Sequence, residues 1–191
     1  MKKLIVLAVC LFVNGINTFT YASTDSWIEL ERARVSFDKP HEWKTFKKLL
    51  GFPLVLTSPQ KNKARIVIGI TPSDIKDYPF VKNNEPNSFQ DNAKTYKNDA
   101  KKWMSNKSGM IKEFFPYKKE KWKNTGDVHH YGFRYNLGEI AFVEHSYYLL
   151  CQKQLFHIKT LYRENEFKKD EGKIKNVLNS FNCQSKVRSF K

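Results

Sequence analysis

Three runs rich in β-branched and aromatic residues stand almost back to back in residues 127–163. The stretch reads DVHHYGFRYNLGEIAFVEHSYYLLCQKQLFHIKTLYR. Short turn signals divide it at Leu137-Gly138 and at Gln152-Lys153. Two-residue loops would make an antiparallel meander of strands near 127–136, 139–151 and 154–163. Alternation then places Tyr131, Phe133, Tyr135, Phe142, Tyr148 and Leu161 on one face. It places Val128, Val143, Tyr147, Leu149, Cys151 and Ile158 on the other. Both faces are apolar, so both must be covered. The expected fold class is α+β: an α/β/α sandwich with a central antiparallel sheet and helices on both faces.

Two segments suit the covering role. In 88–104, Phe89, Ala93, Tyr96, Ala100 and Trp103 recur on one helix face, and Ser88-x-x-Asp91 resembles a capping box. In 166–181, Phe167, Ile174, Val177, Leu178 and Phe181 do the same, with Gly172 as a weak point.

Residues 1–22 read as a secretory signal. Lys2 and Lys3 precede an apolar run over 4–13, and Thr20-Tyr21-Ala22 ends in small residues. The apolar run is too short to span a bilayer. A lipoprotein reading at Cys10 is weakened by Val9 before it. Of 191 residues, the mature chain would be 23–191, long enough for one well-buried domain. Export implies a periplasmic or extracellular destination. It leaves Cys151 and Cys183, which read as a disulfide in an oxidising compartment. The alternative is two buried free thiols.

Along the rest of the chain, 27–37 reads as a strand. Trp43, Phe46 and Leu50 fit a short helix ended by Gly51. Residues 53–58 and 64–70 read as a hairpin, and 71–87, rich in Pro and Asn, as a long surface loop. Residues 110–117 read as a strand and 118–127 as a polar connection.

This order of elements, with Phe37, Pro40 and Trp43 as an F-x-x-P-x-x-W motif and a last helix ending Asn179-Ser180-Phe181, resembles the PsbP-like superfamily. Its members are α/β/α sandwiches that include the extrinsic PsbP subunit of photosystem II and exported bacterial proteins. The resemblance implies the fold and a role in binding or assembly rather than catalysis. It transfers no catalytic residue, and no photosynthetic role follows.

Charge carries the main functional signal. The whole chain has a net charge of +15, and losing Lys2 and Lys3 leaves +13. Segment 94–123 holds ten lysines against Asp99, Glu113 and Glu120, interleaved with aromatics. Lys101, Lys102, Trp103, Lys118, Lys119, Lys121, Trp122 and Lys123 are the expected contacts to an anionic partner, such as phospholipid headgroups or another polyanion. The plainer reading is a solvated lysine face. Lysine outnumbers arginine 28 to six, which disfavours a sequence-specific nucleic-acid reader. A contact with a protein partner through 71–87 is the alternative.

Catalytic readings are weaker. No G-x-S-x-G, P-loop or dinucleotide-binding glycine pattern occurs. A secreted nuclease would need His and Glu as acid and base beside a cation. The candidate sets are Glu144, His157 and Arg163, or His130, His145 and Arg134. His130 and His145 should share a face nearly opposite one another, and they are the nearest approach to a metal site. They lack a third ligand, because Glu144 falls on the other face. No cofactor and no metal are expected.

Overall fold

The computed structural model describes residues 22–23, 27–29, 33–49, 51–59, 66–73 and 86–185. In chain order the elements are β1 (Ala22–Ser23), β2 (Trp27–Glu29), β3 (Ala33–Ser36), β4 (Lys44–Leu49), β5 (Phe52–Thr57), β6 (Ile66–Ser73), α1 (Pro86–Ser105), β7 (Gly109–Trp122), β8 (Gly126–Leu137), β9 (Ile140–Cys151), β10 (Gln154–Arg163), α2 (Glu164–Asn179) and β11 (Asn182–Ser185).

Eight strands form one antiparallel sheet in the order β1-β4-β5-β6-β10-β9-β8-β7. The meander is as expected. Leu137 pairs with Ile140 and Cys151 with Gln154, so each loop has two residues. The faces also follow the alternation. Phe133, Tyr135, Phe142 and Leu161 pack together with Ala100 and Met104 of α1. Val128, Val143, Tyr147, Leu149 and Ile158 pack with Ile174, Val177 and Leu178 of α2. Burying an aliphatic side chain such as Ile174 or Leu178 stabilises by about 1.5–3 kcal/mol.

The cover of the second face differs from the expectation in its composition. A three-stranded sheet, β11-β3-β2, shares that face with α2. Residues 27–37 are therefore not one strand. They supply β2 and β3, which pair with each other, and β11 flanks β3. A disulfide joins Cys151, at the end of β9, to Cys183 in β11, with the two Cα atoms 5.5 Å apart. It ties the small sheet to the large one.

Two other expectations are corrected. The short helix near Trp43 is instead strand β4, paired with β5. Trp43 itself is buried, and Gly51 turns the chain at a φ of 77°. A six-residue segment cannot separate helical from strand periodicity, and pairing with β5 and β1 decided it. The expected hairpin is present as β5 and β6, although 60–65 lie outside the described residues. Of the expected 71–87 loop, 71–73 are strand, 86–87 begin α1, and 74–85 lie outside the described residues. Ser88 consequently sits inside α1 rather than at its cap. Pro86 opens the helix, where its missing N–H costs nothing. Of the proposed signal, 1–21 also lie outside the described residues, and Ala22 pairs with Phe46.

The F-x-x-P-x-x-W motif proves structural. Phe37 packs 5.2 Å from Phe181, the backbone N–H of Trp43 donates to the Pro40 carbonyl, and both Phe37 and Trp43 are buried.

Candidate functional site

The basic segment falls on α1 and on β7, the edge strand of the large sheet. Residues 118–122 are strand, not the polar connection expected. Lysines and Pro116 on an edge strand discourage pairing with another chain, and Pro116 lies at one of two register shifts in β7. Strand alternation divides the cluster. Lys119 and Lys121 pair with His129 and Asp127, on the α1 side of the sheet. Lys118 and Glu120 face the α2 side with Trp122.

Trp122 is a correction to the expected surface. It is buried, 5.5 Å from Tyr147 and 5.8 Å from Phe181. Trp103 is half-buried and edge-on to Tyr135. Neither indole leads the charged surface. Lys101 and Lys102 are exposed, and Lys97 and Lys101 hold their ammonium groups 5.5 and 6.0 Å from the Phe114 ring centre. Lys119 bonds Asp127 at 2.7 Å, which raises the lysine pKa and lowers that of the carboxylate. Lys121 and Lys123 are exposed.

A cavity of about 360 Å³ lies between this end of the sheet and α2. Trp122, Tyr147 and Tyr162 wall it from the sheet, and Ile174 and Leu178 from the helix. His130, His145, Thr160 and Glu120 enter it from the strands, and Lys118, Lys175 and Asn179 complete its lining. His130 lies opposite Tyr147 and His145 opposite Gly132, so the two histidines are diagonal neighbours rather than opposite ones. Their rings are 5.9 Å apart. Phe115 stacks on His145 at 4.9 Å. Gly132 is required here, because a methyl group would overlap the Glu144 carbonyl and press on His145. Burial lowers the pKa of His145 to about 4, helped by His130 and Lys118. Burial also lowers that of His130, against the pull of Glu120. At about 4, the His145 imidazole is neutral at pH 7.

Glu120 Oε1 lies 3.4 Å from His130 Nδ1. Even so, no group of three His, Cys, Asp or Glu able to hold a metal occurs among the described residues. Sequence reasoning missed Glu120 because it fell in the supposed connection. It missed the cavity because only tertiary packing lays α2 over the histidines.

Neither proposed nuclease set assembles. Glu144 is buried on the α1 side, where Tyr96 Oη donates to its carboxylate at 2.9 Å and Lys159 Nζ lies 2.9 Å away. His157 stacks on Tyr148 at 4.4 Å. Glu144 pairs with Leu161, four residues along β10 from His157, or about 13 Å at 3.3 Å per residue. Arg163 lies on the far side of Leu161 from His157. Arg134 shares the sheet face of His130 but is four residues away, bonding Glu113 at 3.2 Å and Glu164 at 3.0 Å.

The fold is similar to that of PsbP proteins. The solution structure of cyanobacterial PsbP (CyanoP) from Synechocystis sp. PCC 6803 is similar with a TM-score of 0.52, over 82% of this chain and 95% of that one. Identity is 10%, so the likeness is one of fold. No protein-family model matches the chain, and no curated protein sequence matches it.

Proposed function

We propose that residues 23–191 form an exported, non-enzymatic PsbP-like domain that binds an anionic partner, with phospholipid headgroups as the chemistry to test. One observation carries this reading: Lys97 and Lys101 of α1 stand over Phe114 of β7, on the same side of the sheet as Lys119 and Lys121. The edge of the sheet thereby gains a lysine surface drawn from two elements. Lysine is a mobile point charge, suited to diffuse attraction rather than to a fixed bidentate grip. Near an anionic membrane each lysine would contribute about 1 kcal/mol, screened by salt. The disulfide fits an oxidising compartment.

Co-sedimentation with neutral and anionic liposomes, at low and at physiological salt, tests the reading. Binding confined to anionic liposomes and retained at physiological salt is the expected result. The triple variant Lys97→Glu, Lys101→Glu, Lys121→Glu should abolish it with an unchanged circular dichroism spectrum. Unchanged binding by that variant, or no binding by the wild type, overturns the proposal.

A further inference from the structure

We infer that the cavity between the sheet and α2 binds a small organic anion carrying a carboxylate or phosphate. Its volume, about 360 Å³, lies in the range of small-molecule sites. Its walls divide by chemistry. The rings of Tyr147 and Tyr162 and the side chains of Ile174 and Leu178 offer apolar contact to a carbon skeleton. The strands contribute the hydrogen-bonding side chains of His130, His145 and Thr160.

Two of those groups carry the argument. His130 is 8% exposed, and the Nδ1 atoms of His130 and His145 are both buried without a hydrogen bond. The 3.4 Å to Glu120 is too long to serve as a good one. An unpaired buried polar atom costs about 1–3 kcal/mol. The two histidines lie on adjacent strands and both line the cavity, which puts their imidazoles beside a ligand's polar atoms. A neutral imidazole nitrogen can donate to an oxyanion.

Charge selects the sign of the ligand. Lys118 and Lys175 line the cavity against the single carboxylate of Glu120. Lys175 also pairs with Glu171 at 2.6 Å, a carboxylate whose charge reaches Tyr162. A cation would meet two ammonium groups, and a metal ion lacks a third ligand. An oxyanion at the lysines, with its skeleton on the tyrosines, satisfies both halves of the lining.

The inference is independent of the lysine surface on α1. It is tested by following the imidazole signals of His130 and His145 by NMR in the mature protein at neutral pH. The probes are glucose 6-phosphate and glucuronate, with inorganic phosphate and uncharged glucose as controls. Saturable shifts of both histidines with at least one organic anion, at concentrations up to about 10 mM, are expected. Lys118→Met and Lys175→Met, both at exposed positions, should each weaken that binding about tenfold. The variant Lys97→Glu, Lys101→Glu, Lys121→Glu should bind the probe as wild type does, which separates this site from the liposome surface. No saturable shift, an equal response to glucose, a response to inorganic phosphate alone, or unchanged affinity in both methionine variants overturns the inference.

Discussion

The Glu144 carboxylate and the Lys159 ammonium lie 2.9 Å apart beneath α1, with their side chains 1% and 11% exposed. Tyr96 donates a second polar contact to the carboxylate from the helix, so this buried charge is held by groups from α1, β9 and β10. Removing one partner from such a pair leaves an uncompensated buried charge. Lys159→Met should therefore cost about 3–5 kcal/mol in urea denaturation. The double variant Glu144→Gln, Lys159→Met should recover most of that loss. Equal destabilisation in the single and double variants would show that the charge is not what matters.

The Cys151–Cys183 bond closes a loop with a sequence separation of 32. In the chain-entropy account its loss costs about 3–4 kcal/mol. Cys151→Ala with Cys183→Ala should lower the denaturation midpoint accordingly. Unreduced mature protein should titrate no free thiol.

Burial lowers the pKa of His157 to about 3 and that of His145 to about 4, from the ordinary 6.5. Between those values and 6.5 the unfolded chain binds more protons than the folded one. These histidines therefore cost nothing above about pH 7, and stability falls as pH drops below 6.5. The slope is about 1.4 kcal/mol per pH unit for each histidine. Melting temperatures from neutral to mildly acid pH should show the fall. His157→Phe keeps a ring on Tyr148 and should reduce the slope by one proton's worth. Parallel profiles for wild type and variant would contradict it.

Gln152 and Lys153 turn β9 into β10 with φ of 49° and 64°, in the left-handed region that favours Asn and Gly. Gln152→Asn with Lys153→Gly should stabilise the fold by about 1 kcal/mol. The check is a raised denaturation midpoint at an unchanged m-value.

The meander was legible because residues 127–163 alternate in register on both faces, and only two-residue loops keep that register. The helix faces were legible for the same reason, Ala93 and Ala100 of α1 and Ile174, Val177 and Leu178 of α2 being buried at helical spacing. Residues 27–50 were misread because their segments are short and their pairing, in part with a distant strand, does not show in their local pattern. β3 pairs with β11, some 150 residues later, and β4 is sorted by β1 and β5.

The basic segment shows the division most clearly. Ten lysines in 94–123 are a property of composition, and composition alone determined that one part of the chain would be strongly positive. Which lysines share a surface depended on β7 running on to Trp122, because alternation then sends Lys119 and Lys121 to one side and Lys118 to the other. The same extension buried Trp122 and brought Glu120 to the histidines. Local pattern thus determined the meander strands and the two long helices, and the count of cysteines left by export pointed to the disulfide. Tertiary packing alone decided the cavity, since it exists only where α2 closes over strands whose pairing spans the sheet.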